Sequence, residues 1–392
     1  MDLFDKCARY TRAKEAIAAG YYPYFIPLSE TEGTEVTVDG HRLIMIGSNN
    51  YLGLTTHPKV RQAAIDAINR FGPSCTGSRF LNGNLSIHNE LERKLAAFVG
   101  KEAGLVFSTG FQTNLGAISS LVGRGDVVVT DREDHASIID GCRLAFGQMK
   151  RFRHNDMSDL ERVLRSCDGV GTLVVVDGVF SMGGDLAPLP EIIPLCKQYG
   201  ARLMVDDAHS VGVVGEGGRG TASHFGCTDD VDLIMYTFSK SFASLGGFVA
   251  GDEDVMHYVQ HNARSLIFSA SMPPPCVAAV LAALEVLQEE PDRVDRLREI
   301  GEKMRTGFTE MGYNIGESQT AIVPVFVGED AKTFQFWKTL FQEGVYVNPV
   351  VPPAVPVNQS LLRTSYMATH TDEQLDAVLD KFERIGKSLG II

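Results

Sequence analysis

Residues 2–19 carry apolar groups at helical spacing, and Gly20 stands where a C-terminal cap belongs, so one amphipathic helix is predicted there. Residues 35–46 (EVTVDGHRLIMI) alternate about Asp39-Gly40, a strong hairpin signal. Helix-period segments near 58–71, 87–99, 111–122 and 135–146 then interleave with short apolar runs at 104–108 and 126–130. Two denser runs follow, TLVVVD (172–177) and RLMVD (202–206), with a helical stretch at 188–199 between them. Further short strands fit 232–237 and 246–250. Runs apolar on both faces, separated by helices, predict a mainly parallel sheet covered on both sides.

The texture changes after Ser271, where SMPPP breaks the chain. Helices are predicted at 275–288 and 291–312, then a strand at 321–327, a helix at 331–343, strands at 345–350 and 361–365, and a final helix at 371–388. The expected organisation is an N-terminal helix and hairpin segment (1–50), a large α/β domain (51–272) and a smaller C-terminal α+β domain (273–392).

Composition narrows the function classes. A chain of 392 residues that is 44% hydrophobic and 22% charged is globular, with room for two to three domains at about 150 residues each. Thirty-six Lys and Arg against 49 Asp and Glu leave a net charge of −13, which argues against binding along a phosphate backbone. A local basic pocket for a small anion stays compatible with that balance. Seven dispersed cysteines without a CxxC pair read as reduced thiols of a cytoplasmic protein rather than a disulfide framework or a zinc site. The polar start MDLFDKCARY does not read as a signal peptide. The longest apolar stretch, 277–287, is interrupted by Glu285 and is too short to span a bilayer, so a soluble chain is expected.

Four places could carry chemistry. Lys240, in TFSKS directly after the run DLIMY, is either a desolvated amine able to form a Schiff base or a lysine reaching water from a strand end. Asp206 ends a second apolar run in VDDAHS, where ligands of open α/β sheets bind. Such a carboxylate suits a pyridinium nitrogen, a helix cap or a metal, although one Asp-Asp-x-His run is thin evidence for a metal. The stretch 108–112 (STGFQ) places small residues at a helix start, which suits a phosphate and equally an ordinary strand-to-helix turn. His135, in DHAS, is an aromatic plate, a general acid–base or a helix-start residue. The motif GEGGRG (215–220) satisfies GxGxxG, but no helical pattern opens there and no acidic residue is suitably placed beyond it. It reads as a glycine-rich loop, which leaves a dinucleotide oxidoreductase with little support.

Taken in order, STGF, DHAS, DGVFSMGGD, VDDAHS, TFSKS and LLRTSYMATHT resemble the α-oxoamine synthase family of pyridoxal-phosphate enzymes. The resemblance runs from YYPYF and SNNYLGL nearly to the C-terminus. It implies a fold-type I pyridoxal-phosphate transferase architecture, like that of aspartate aminotransferase. It also implies a homodimer with active sites at the subunit interface, and condensation of an amino acid with an acyl-CoA with loss of carbon dioxide and CoA. GSRFLNG (77–83), TFSKSFASLGGFVAG (237–251), HNARS (261–265) and NPVVPPAVP (348–356) resemble members that join L-serine to palmitoyl-CoA, giving 3-oxosphinganine in the first step of sphingolipid synthesis. Another amino-acid and acyl-CoA pair is the alternative, such as glycine with acetyl-CoA or alanine with a dicarboxylic acyl-CoA. A catalytically silent scaffold subunit is the outside reading, and the retained Lys240, Asp206 and His209 speak against it.

The resemblance also implies roles. Lys240 binds the cofactor covalently and later takes the α-proton; Asp206 pairs with the pyridinium nitrogen; His209 and Ser181 lie at the edge carrying the phenolic oxygen. His135 stacks on the ring. Gly110, Phe111, Thr237 and Ser239 surround the phosphate, with Ser269 or Ser271 reaching the partner subunit's cofactor. Arg363 and Asn49 hold the amino acid's carboxylate. Tyr236 stands where glycine is common in the family, so its ring either narrows the pocket or packs. Because the product partitions into lipid, peripheral membrane contact is left open, although no basic amphipathic anchor is evident.

Overall fold

A computed structural model describes residues 2–392. The buried strands form a seven-stranded sheet whose members lie side by side in the order Ala103–Phe107, Gly247–Gly251, Leu233–Thr237, Arg202–Asp206, Thr172–Asp177, Val127–Asp131 and Gln148–Phe152. Five neighbours run parallel, while Gly247–Gly251 is antiparallel to both strands beside it.

Alternate residues of these strands feed two cores. Val174, Val176, Leu203, Val205, Ile234 and Tyr236 pack toward the helices Ser86–Phe98, Met157–Arg165, Leu189–Gln198 and Pro274–Glu289. Leu173, Val175, Met204 and Met235 pack toward Gly110–Leu121, Ala136–Leu144 and Glu253–Asn262. A third core joins Asp292–Glu310, Ile322–Gly328, Asp330–Gln342, Ser360–Ser365 and Asp372–Ser388 to Ile46 and Tyr51 of the N-terminal segment. The hairpin Glu35–Val38 and His41–Met45 is present, and its second strand gains a parallel neighbour, Val345–Tyr346.

Three expectations need correction. The single helix over 2–19 is two short ones, Asp5–Ala8 and Arg12–Ala18, with no buried residue in either. Without a core beneath it, a helical pattern has little to hold it through Tyr10 and Thr11. The strand expected at 345–350 divides at Val347 between two sheets: Val345–Tyr346 joins the hairpin, and Asn348–Val350 pairs with Ser360–Ser365. The sheet also has a strand that the pattern did not predict, Gln148–Phe152, in which only Phe152 is buried. The GEGGRG stretch is a loop, with Gly215, Gly217, Gly218 and Gly220 all at positive φ.

Parallel register brings the strand ends level. Asp177 pairs with Asp206 and Asp206 with Met235, so the carboxyl ends of three adjacent strands meet at one rim. Ligands of open α/β sheets bind beyond such a rim.

Candidate active site

A cavity of about 240 Å³ opens at that rim, lined by Gly110, Phe111, Asn114, His135, Asp177, Asp206, His209, Met235, Thr237, Ser239 and Lys240 among others. Larger cavities of about 520 and 320 Å³ lie elsewhere, but neither contains this lysine and its carboxylates.

Lys240 is set by a closed turn. The Phe238 N–H donates to the Gly246 carbonyl at 3.0 Å, and the Ala243 N–H to the Lys240 carbonyl at 3.0 Å. Phe238 and Phe242 anchor the turn in the core, with Tyr236 stacked on Phe242 at 5.8 Å and tilted against Phe248 at 5.2 Å. Tyr236 therefore belongs to the sheet face opposite the cavity, which is lined by its neighbours Met235 and Thr237. Its ring packs behind the lysine turn and does not narrow the pocket. Burial lowers the Lys240 ammonium, with help from Arg363 and against Asp206 and Asp177, to about 8. An appreciable neutral fraction at physiological pH makes the amine a nucleophile.

Asp206 and Asp177 end adjacent strands but differ in their partners. Asp206 accepts from Asn114 Nδ2 at 2.7 Å and from the Ala208 N–H at 3.0 Å. Asp177 is equally buried, yet its Oδ2 has no partner. Burial, Asp206 and Asp134 push Asp177 well above the usual carboxylate range. Asn114 also donates to Ser137 Oγ at 2.8 Å, and that hydroxyl lies 2.7 Å from His135 Nδ1. Because His135 Nδ1 accepts the Ser137 N–H as well, the ring's proton resides on Nε2. Burial and Lys240 lower His135, against Asp206, which favours the neutral ring.

The helix Gly110–Leu121 begins at the cavity wall, with Thr109 Oγ1 accepting the Gln112 N–H at 3.1 Å. The Gly110 and Phe111 amides precede the first intrahelical bonds and are free to bind an anion. A Cβ on Gly110 would lie 2.5 Å from Thr237 Cβ and 2.6 Å from its Oγ1, so only glycine lets the helix start approach that strand. Thr237 Oγ1 lies 2.8 Å from Ser239 Oγ, adding two hydroxyls to the cradle. Ser269 Oγ accepts from Gln112 Nε2 at 3.1 Å, near this cradle, whereas Ser271 Oγ donates to the Gly77 carbonyl, also at 3.1 Å.

Arg363, Asn49 and Ser181 do not line this cavity. They form a network beside it. Arg363 is buried in Ser360–Ser365; its Nε donates to the Ser181 carbonyl at 2.6 Å and its Nη2 to Asn49 Oδ1 at 3.1 Å. Ser181 thus contributes its backbone to this network. Tyr51 bridges the two groups: its hydroxyl is 3.1 Å from Asn49 Oδ1 and 2.7 Å from His209 Nδ1. One hydroxyl proton serves one acceptor, so when Tyr51 donates to Asn49, His209 carries its proton on Nδ1. Burial, Lys240, Arg363 and His135 hold His209 well below its ordinary value, so the ring is neutral.

Sequence reasoning passed over Asn114, Tyr51 and Asp177. Tyr51 and Asp177 stand inside the motifs SNNYLGL and DGVFSMGGD, where their types alone carried no distinctive signal. Asn114 was detectable only as an amide among the small and polar residues of its helix.

The residues fit pyridoxal phosphate: a partly desolvated lysine, a hydrogen-bonded carboxylate at the pyridinium end, a neutral histidine, and a glycine-tight helix start for the phosphate. The family model described as "Aminotransferase class I and II" matches residues 41–382. The chain is 51% identical to serine palmitoyltransferase of Sphingobacterium spiritivorum over 390 residues, covering 99% of this chain and 98% of the relative. It superposes on a Sphingomonas wittichii serine palmitoyltransferase structure with a TM-score of 0.97, at 39% identity and full coverage of both chains. It is also similar to the Lys-to-Ala variant of the S. paucimobilis enzyme solved with bound pyridoxal phosphate and myriocin, with a TM-score of 0.96, 36% identity and full coverage of both chains. The chain belongs to the aminotransferase class I and II family of pyridoxal-phosphate enzymes, within its α-oxoamine synthase branch.

Proposed function

We infer that this chain condenses L-serine with palmitoyl-CoA to give 3-oxosphinganine, CoA and carbon dioxide. The observation that carries the reading is the junction, through Tyr51, of a cavity holding Lys240 and Asp206 with a buried arginine that has no carboxylate partner among the described residues. Similarity to the serine palmitoyltransferases over the full length supports the choice of substrates.

In the reaction, a carbon–carbon bond forms between the serine α-carbon and the acyl carbonyl carbon. The thioester C–S bond breaks, CoA leaves as the thiol, and the serine carboxylate departs as carbon dioxide. A proton then returns to the α-carbon. Pyridoxal phosphate supplies the electron sink for the pair left at that carbon. Lys240 in its neutral form would hold the cofactor and take the α-proton, and Asp206 would pair with the pyridinium nitrogen. Gly110, Phe111, Thr237 and Ser239 would hold the phosphate, His135 would cover the ring, and His209 would address its polar edge, next to Ser181. Arg363 receives the serine carboxylate through paired donors, with Asn49 beside it. Fixing both substrates in one cleft removes an entropic barrier of several kcal/mol, on the order of 7.

The reading places the enzyme in a homodimer. Its support is exposed apolar surface: Phe111 and Leu245 at the cavity itself, and Phe80, Leu81 and Phe268 elsewhere. The N-terminal arm also exposes Leu3, Phe4, Tyr10 and Ile17. In such a dimer Ser269 or Ser271 would reach the phosphate of the partner subunit's cofactor. No helix among the described residues is long and apolar enough to cross a membrane. A cytoplasmic setting, which keeps thiols reduced, suits the seven free cysteines.

The test is a competition in which the purified protein receives serine, glycine, alanine and threonine together with acetyl-, pimeloyl- and palmitoyl-CoA. Mass spectrometry should find 3-oxosphinganine as the dominant product. A different aminoketone in its place would overturn the substrate assignment.

A further inference from the structure

We infer that His154 is a positioning residue for the amino-acid site: by clamping Asp185 it fixes the turn 178–187, whose Ser181 carbonyl orients Arg363. The inference rests on the reading of Arg363 as the carboxylate anchor.

His154 follows the edge strand Gln148–Phe152, and each of its ring nitrogens meets a carboxylate. Nδ1 lies 3.1 Å from Asp131 Oδ1, and Nε2 lies 3.0 Å from Asp185 Oδ2. Glu133 stands 3.9 Å away. Two nitrogens that both donate require the imidazolium form. Burial opposes that charge, but Asp131, Asp185 and Glu133 outweigh it and hold the ring up at about 10, so the clamp stays charged through the working pH range.

The clamp grips the turn at two points. The Phe180 ring meets the imidazole edge-on at 4.4 Å, and Phe180 immediately precedes Ser181. Asn155 Nδ2 reinforces the grip on Asp185 Oδ2 at 3.0 Å and also reaches the Leu186 carbonyl. Backbone bonds then close the turn, from the Phe180 N–H to the Asp185 carbonyl at 3.0 Å and from the Gly184 N–H to the Phe180 carbonyl at 2.8 Å. At its tip the Ser181 carbonyl accepts Arg363 Nε. Among the described residues the guanidinium meets only neutral acceptors: this carbonyl, Asn49 Oδ1 and, at 3.4 Å, Ser365 Oγ. No anion fixes its plane, so the Ser181 carbonyl, the shortest of these contacts, sets with Asn49 how the fork is presented. A looser turn would leave the charge in place and misdirect it.

The experiment titrates holoenzyme with L-serine, following the cofactor's visible absorbance, in the parent protein, His154→Gln, Arg363→Ala and the double variant. His154→Gln should weaken serine binding about five- to tenfold, the scale of one misdirected charged hydrogen bond, with cofactor content unchanged and kcat within about twofold at saturating serine. In the Arg363→Ala background the same substitution should have no further effect, because it acts through that arginine. Asp185→Asn, which keeps the side chain's size, should reproduce the pattern and guards against a folding defect in His154→Gln. Unchanged serine affinity in His154→Gln or in Asp185→Asn overturns the inference, as does equal weakening with and without Arg363. Unchanged affinity in Arg363→Ala instead overturns the anchor reading itself.

Discussion

At the lysine end of the site, Asp177, Asp206 and Thr237 stand at the carboxyl ends of adjacent parallel strands, and Lys240 follows by one tight turn. The arginine end is assembled differently. Asn49 and Tyr51, Ser181, and Arg363 come from three separate parts of the chain and meet through side-chain and carbonyl hydrogen bonds. The first end inherits its geometry from sheet register, which the apolar cores on both faces of the sheet enforce. The second also starts from a buried strand, Ser360–Ser365, but its parts are joined by a few polar bonds. The proposed cofactor site thus rests on the register of one sheet, and the proposed carboxylate site on the meeting of three segments.

Substitutions at each end should separate the two. The largest effect is expected from Lys240→Ala, where turnover should fall by roughly 10³-fold or more and the bound cofactor's visible absorbance should vanish. Retained colour and rate would mean that the lysine end lies elsewhere. Arg363→Ala should raise the KM for the amino acid about 10- to 100-fold, the scale of losing hydrogen bonds to a charged group, while the cofactor stays bound. Parallel loss of cofactor would show that the two ends are not separable.

Acidity gives a third handle. With Lys240 near 8, about a tenth of the amines are neutral at pH 7 and about nine-tenths at pH 9. Cofactor uptake by the apoprotein, followed by absorbance, should therefore rise roughly tenfold over that interval and then level off. An ordinary lysine would give a continuing rise without a plateau below pH 10. The smallest effect is expected at Tyr236, whose buried hydroxyl has no partner. Tyr236→Phe should leave KM for both substrates unchanged and the Tm equal or slightly higher, since removing an unpaired buried hydroxyl is nearly neutral or stabilising. A changed acyl-chain preference in that variant would put its ring back into the pocket.

The same contrast explains what was legible in the sequence. TLVVVD and RLMVD announce themselves because both faces of each strand are buried, and a polar residue that ends such a run stands out. Lys240 and Asp206 were found that way, and the family resemblance then supplied their roles and added His209 and Arg363. QMKRF was illegible as a strand because an edge strand with one buried residue leaves no apolar run. The helix Met157–Arg165 was missed although Asp156 caps it, because charged residues dilute its buried Leu160, Val163 and Leu164. The pattern over 2–19 misled in the opposite direction, with helical spacing but no core to hold one continuous helix. Asn114, Tyr51 and His154 were out of reach for a different reason. Asn114 meets Asp206 across 92 positions and Tyr51 meets His209 across 158, and no local pattern encodes such pairs.

The assignment of Lys240 as the cofactor's covalent partner has one most direct test. Holoenzyme is reduced with borohydride to fix the cofactor–lysine linkage, digested, and mapped by mass spectrometry. The account predicts a single pyridoxyl-phosphate modification, on the peptide containing Lys240. A modification on any other lysine, or none in protein that retains bound cofactor, would contradict it.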